Sequence, residues 1–133
     1  MIGAKLLLCA EGIVVDQRSN NASAFNILEQ LNFDSLPVAF PKMVILSLLE
    51  RDEGDPDKWN GEIRITLGGS DLLKQPLNLD FSGLPRVRNM LTVGGLPITQ
   101  PGTMEICLCE KEKKLMSYTI RVLGPKKPSV ESG

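Results

Sequence analysis

Apolar and polar residues alternate with a period of two along most of this chain, the pattern of half-buried β-strands rather than of helices. Ile63, Ile65 and Leu67 alternate with Glu62, Arg64 and Thr66, and Leu77, Leu79 and Phe81 alternate with Asn78 and Asp80. Gly68-Gly69-Ser70-Asp71 lies between these runs and supplies turn chemistry, so the two predict a hairpin. A second hairpin is expected near the end. Met104, Ile106 and Leu108 alternate with Glu105, Cys107 and Cys109, and after the charged connector Glu110–Lys114 the run Met116, Tyr118, Ile120 and Val122 alternates with Ser117, Thr119 and Arg121. Pro101-Gly102, just upstream, suits the central positions of a type II turn.

The first half is less regular. Met43 to Leu49 is apolar on both faces, as in a central strand covered on both sides. Leu6 to Val15 reads as a first strand with a bend at Gly12, and Asp16 to Asn21 as a polar turn. Ser23 to Phe33 fits two patterns: Phe25, Ile27, Glu29 and Leu31 make a strand face, whereas Phe25, Leu28, Leu31 and Asn32 make a short helix capped by Ser23. The strand is favoured because it would form a hairpin with the first one. Val87, Asn89, Leu91 and Val93 form a further strand, ended by Gly94-Gly95. With nine prolines and twelve glycines for the connectors, the fold class expected is all-β: one antiparallel β-sandwich of about eight strands, with room for one short helix. It should occupy residues 1–123. Residues 124–133 offer no apolar content to bury and read as a flexible C-terminal tail.

Composition narrows the chemistry. At 133 residues, 42% apolar and 23% charged, the chain is long enough for one domain with a full core and no metal or disulfide staple. Fifteen Lys and Arg against sixteen Asp and Glu leave no basic footprint for nucleic acid or anionic lipid. The absence of histidine excludes Ser-His, Cys-His and His-metal mechanisms. Three cysteines cannot close a disulfide framework, and the odd number fits a reducing compartment. The apolar run Leu6 to Ala10 is shorter than the roughly 7–15 residues of a secretion signal. No run nears the roughly 20 residues of a membrane span. A cytoplasmic location without membrane contact is therefore expected.

Four groups of residues are candidates for chemistry. Asp52, Glu53, Asp55, Asp57 and Glu62 crowd one segment with only Lys58 to offset them, a supply of oxygen ligands of the kind calcium takes. Trp59 at third-ligand spacing breaks the EF-hand pattern, and the competing reading is a solvated loop. Trp59 itself, placed in this polar loop, is either an exposed contact anchor or a ring packed down over a sheet edge. Cys107 and Cys109 share a strand face, but with Cys9 they make three ligands, short of a structural zinc set. Arg86 and Arg88 share a face with Asn89 opposite; they either grip an anion or pair with Asp80 or Glu105 across the sheet. No Walker loop, Gly-x-Ser-x-Gly elbow or dinucleotide fingerprint occurs, and no cofactor is expected.

A resemblance rests on Cys9-Ala10-Glu11-Gly12 with Asp16, on Phe25-Asn26-Ile27-Leu28-Glu29, and on the approach from Pro37 to Pro41 into Met43–Leu49. Glu50-Arg51-Asp52-Glu53-Gly54-Asp55-Pro56, Gly95-Leu96-Pro97-Ile98 and Pro101-Gly102 continue it. On these residues the chain resembles a family of short bacterial proteins of unassigned function. The closing Pro-Gly, strand, charged turn, strand is also similar to the end of immunoglobulin-like and C2-like modules. The resemblance implies a β-sandwich and names no active site.

These readings converge on a non-catalytic cytoplasmic β-sandwich that binds another protein or itself, a homodimer through free sheet edges included. The alternatives are a small-ligand or calcium-binding module using the Asp52–Glu62 loop, and a histidine-free enzyme using carboxylates. The candidate contact residues are Asp52, Glu53, Asp55, Asp57, Trp59, Arg86 and Arg88.

Overall fold

The computed structural model describes residues 1–125 and contains nine strands and no helix among them. They are β1 (Gly3–Val15), β2 (Ala22–Ile27), β3 (Gln30–Asn32), β4 (Val38–Glu50), β5 (Lys58–Leu67), β6 (Ser70–Asp80), β7 (Arg86–Ile98), β8 (Gly102–Glu110) and β9 (Lys113–Leu123). Two sheets form, one ordered β2-β1-β4-β7 and the other β3-β9-β8-β5-β6. The expected all-β sandwich is what the chain builds. The predicted tail lies outside the described residues from residue 126 onward.

The core is where the alternation points. Leu7 and Cys9 of β1 and Met43, Ile45 and Leu49 of β4 face Trp59, Ile63, Ile65 and Leu67 of β5 and Met104, Ile106 and Leu108 of β8. Each such side chain contributes about 1.5–3 kcal/mol on burial, several times the worth of an exposed ion pair at about 0–1 kcal/mol. Inter-sheet packing therefore dominates stability. β4 lies between β1 and β7, and Met43 to Ser47 is buried on both faces.

Several local expectations change in three dimensions. The hairpin between β5 and β6 turns on Gly68 and Gly69 alone, both at positive φ, so Ser70 and Asp71 already belong to β6. Likewise only Lys111 and Glu112 separate β8 from β9. Gly94-Gly95 does not end β7. A Cβ on Gly94 would lie 3.4 Å from the Pro41 carbonyl oxygen, and the pairing carries through to Val38 opposite Ile98. Pro101-Gly102 is not a type II turn: Gly102 has φ +148°, far from the roughly +80° of that turn, and starts β8 after a crossing between sheets.

Ser23 to Phe33, left between strand and helix by its pattern, is extended but divided. β2 pairs antiparallel with β1, and β3 pairs parallel with β9 in the other sheet. The crossing occurs at Leu28 and Glu29. Leu28 N–H donates to the Cys9 carbonyl, the Leu28 carbonyl accepts from the Tyr118 hydroxyl at 2.7 Å, and Arg121 N–H donates to the Glu29 carbonyl. Asn26, just before, sits at φ +53°, a conformation asparagine tolerates better than most residues. Tyr118→Phe should lower stability by about 1 kcal/mol, because the Leu28 carbonyl loses its side-chain donor. Urea denaturation checks this, and an unchanged midpoint would show that the bond adds nothing.

Candidate functional site

The acidic segment becomes a corner organised by one arginine. Arg51 has a side chain only 17% exposed; it donates through Nε to the Leu84 carbonyl and through Nη1 to the Asp55 carbonyl, and meets Asp57 Oδ1 at 3.2 Å. Its guanidinium also lies 5.5 Å from the centre of the buried Phe81 ring. Asp57 in turn accepts from Gly83 N–H, tying this loop to the β6–β7 loop. Asp52 and Asp55 are both paired with the Met1 ammonium. That ammonium holds the Asp55 carboxyl below its ordinary range. Glu53 is exposed, and Glu62 pairs with Arg64 on β5. Apart from the exposed Glu53, the carboxylates are thus paired with internal cations, and among the described residues no three acidic or thiol groups stand close enough to hold a metal ion.

Arg51 was not a candidate in the sequence, where it reads as one more charge in a polar loop. Its signal is its position at the end of a buried strand, where its stem must leave through the core edge. Arg51→Ala should cost about 2 kcal/mol, in keeping with the loss of hydrogen bonds from a charged, largely buried donor. Arg51→Lys should recover part of that loss at most, since an ammonium cannot reproduce the fork. Guanidinium denaturation of the two variants tests both statements.

Trp59 is inside. It is the second residue of β5, 2% exposed, and its ring covers Gly61, where a Cβ would collide with it. The packed-down reading holds and the exposed anchor does not. The sequence places it in a loop because Gly54, Pro56 and Asp57 precede it; the strand starts at Lys58, one residue earlier.

Arg86 and Arg88 do share the outward face of β7, but neither meets Asp80 or Glu105. Arg86 pairs with Glu50 at 2.8 Å, and Glu105 pairs instead with Lys114. Arg86 and the neighbouring Lys5 hold the Glu50 carboxyl below its ordinary range. Arg88 donates to the Asn20 carbonyl and to Asn20 Oδ1 at 2.9 and 3.0 Å. Asn20 lies in the turn between β1 and β2, whereas β7 stands two strands from β1 at about 4.8 Å per strand, so this turn lies over the outward face of the sheet. There Asn21 and Ala22 line a hollow of about 320 Å³ with Leu6, Leu46 and Leu48. Leu46, which points away from the core, is buried beside this cover, and Ala10 and Val44 are buried on the same outward face. Asn89 faces inward opposite Ser47, and neither Asn89 Nδ2 nor Ser47 Oγ has a protein partner.

Cys107 and Cys109 are buried on the outward face of β8, with their Sγ atoms 3.2 Å apart and Arg64 and Lys114 opposite them on the flanking strands. Burial, and then the neighbouring Cys109, push the Cys107 thiol up to about 12; burial alone pushes Cys9 to about 12. Thiols this shielded are poor nucleophiles. All three should stay unlabelled by a thiol reagent at about pH 8 in the native protein and react once it is unfolded. Rapid labelling of the native protein would contradict that.

β2 lies at the edge of its sheet. Sheet edges are normally guarded by charge, proline or short length. β3 has three residues, β6 carries Lys74 and Pro76, and β7 carries Arg86, Arg88 and Pro97. β2 is Ala-Ser-Ala-Phe-Asn-Ile, with neither a charge nor a proline. Phe25 is 52% exposed and Ile27 47%, beside Val14 on β1. The Phe25 ring lies across Gly12, where any Cβ would strike it, so the glycine that suggested a bend serves as the seat of an aromatic ring. Asn26 Nδ2 donates to Glu11 at 2.7 Å and steadies the end of the strand. A hollow of about 590 Å³ adjoins it, lined by Phe25, Leu28, Leu31 and Phe40 with Glu11 and Lys42.

No family model matches the chain, and none of the curated proteins matches it. Among solved structures the chain is similar to an immunoglobulin-like protein from Pseudomonas aeruginosa, at 13% identity over 92% of this chain and 96% of that one, with a TM-score of 0.46. It is also similar to a β-glucosidase from Listeria innocua in complex with isofagomine, at 8% identity over 91% of this chain, with a TM-score of 0.47. The chain spans 16% of the length of that β-glucosidase.

Proposed function

We propose that this protein is a non-catalytic interaction module that binds protein by adding an extended segment to the open edge of β2. The observation that carries the reading is the contrast between β2, uncharged and with Phe25 and Ile27 exposed, and the guarded edges β6 and β7. An unpaired edge offers a row of backbone donors and acceptors, which give affinity to a strand of almost any sequence. Selectivity comes from side-chain pockets beside the edge, and the hollow between Phe25 and Phe40 is of that kind. The outward sheet face is a poorer docking surface because the turn containing Asn20 already lies across it. Three free, buried cysteines suit work in the reducing cytoplasm.

The acidic segment supports the calcium alternative less well, since Asp52, Asp55 and Asp57 are engaged by Met1 and Arg51. A carboxylate-dependent enzyme would need two acids converging on one cavity; the hollow beside Gly54 and Gly83 that contains Asp52 and Glu53 is shallow and also lined by Arg51.

Ser23→Lys tests the proposal. Ser23 is the exposed second residue of β2, so a lysine there should guard the edge without touching the core. With the melting temperature within about a degree of the parent, as expected of a surface change, immobilised Ser23→Lys protein should lose the proteins that the parent retains from cell extract. Equal retention by both would overturn the reading.

A further inference from the structure

Apart from strand addition, and without resting on it, we infer that the far half of the β1–β2 hairpin is a strap, hinged at Gly12 and latched by Arg88, that closes over an apolar stretch of the outward sheet face. The register shows that the hairpin turns back on the sheet. Ala10 is the last residue of β1 to pair with β4, and from Gly12 to Val15 the strand pairs with β2 alone. Leu6, Leu48 and Arg88 form one row across β1, β4 and β7, on the other side of Ala10 from Val15. Continued in the plane of the sheet, Val15 would lie roughly 30 Å from that row at the usual rise of a strand. Instead Asn20, beyond Val15, accepts from Arg88, and Asn21 and Ala22 line one hollow with Leu6 and Leu48. The chain therefore reverses near Gly12. There the two strands carry a residue without a side chain, Gly12, and a residue in left-handed backbone, Asn26 at φ +53°.

The tip is rigid and its seat is loose. Asp16 N–H donates to the Asn21 carbonyl, Asn20 N–H donates to the Asp16 carbonyl, and Asp16 Oδ1 accepts from Arg18 N–H. Among the described residues, the hydrogen bonds that join this turn to β4 or β7 are the two donated by Arg88, at 2.9 and 3.0 Å. Hollows of about 320 and 550 Å³ adjoin it, both lined by Asn21, Leu48 and Arg88. Leu6 in one and Met90 in the other stay 38% and 45% exposed. A braced tip, a glycine hinge and one polar latch over loosely filled apolar ground make a segment that opens as a unit. Opening uncovers Leu6, Leu46 and Leu48, and it carries β2 along, since β2 is one strand of the strap.

The test puts a nitroxide on an Arg18→Cys variant of the full chain. Arg18 is exposed at the tip, and the three native thiols are buried. With the latch intact the label should broaden the amide NMR signals of Leu48 and Met90. Adding Arg88→Ala should lower that broadening roughly twofold or more, because the turn loses its bonds to a charged donor. Asn20→Gly keeps the carbonyl and suits the φ of +61° but removes Oδ1, so it should lower the broadening by less. Nile red, an uncharged apolar dye, should fluoresce more strongly with unlabelled Arg88→Ala than with the parent, as apolar surface is uncovered. The amide shifts of β5 and β8 should hold throughout. No broadening with the latch intact would overturn the strap, and undiminished broadening in Arg88→Ala would overturn the latch. Loss of the β5 and β8 signals in Arg88→Ala would also overturn it, by showing that Arg88 supports the whole fold. A flat dye signal while the broadening falls would overturn the gating of the apolar face.

Discussion

At Leu28 and Glu29 the chain leaves one sheet and enters the other, and much of the architecture follows from how that crossing is held. A segment that changes sheets gives up its ladder bonds for a residue or two, and a buried backbone group without a partner is costly. Cys9, Tyr118 and Arg121 supply those partners from three places along the chain. The result is a short strand on each side of the crossing: β3, sealed parallel to β9, and β2, antiparallel to β1 with its far edge open. The unguarded edge and the closed side of the sandwich are two consequences of one crossing.

The opposite corner is closed by different physics. Arg51 is inserted between the acidic loop and the β6–β7 loop, with its charge met by Asp57, two carbonyl oxygens and the face of Phe81. Arg88 does similar work over the outward sheet face, holding the Asn20 turn beside Leu46 and Leu48. In both places a guanidinium joins loops that are far apart in sequence. An anion-binding reading of the two arginines on β7 weakens for this reason, since Arg86 is paired with Glu50 and Arg88 is spent on backbone and amide oxygens.

The candidate residues divide along the same line. Asp52, Asp55, Asp57, Arg86 and Arg88 are joined to neighbours that stabilise the fold, Trp59 is in the core, and Glu53 stands exposed without an ion pair among the described residues. Residues conspicuous by type were thus absorbed by the fold, whereas β2 drew no notice because it contains nothing conspicuous. Its signal in the sequence was an absence, six residues without charge or proline beside a strand pattern. Such a stretch becomes meaningful only when it is known to lie at an edge.

Period-two alternation by itself determined most of the strands, the two hairpins and the core faces of β5, β8 and β9, because a strand's side chains alternate between faces whatever its neighbours are. The absence of histidine likewise leaves no imidazole in this sequence for acid–base or metal-ligand chemistry. Neighbours were another matter. That β3 lies parallel to β9, that β7 runs on through Gly94-Gly95, that Trp59 points inward and that Arg88 reaches Asn20 were decided by tertiary structure. Alternation records which face a residue takes and carries no information on which strand or loop, sixty or ninety residues away, will lie against it.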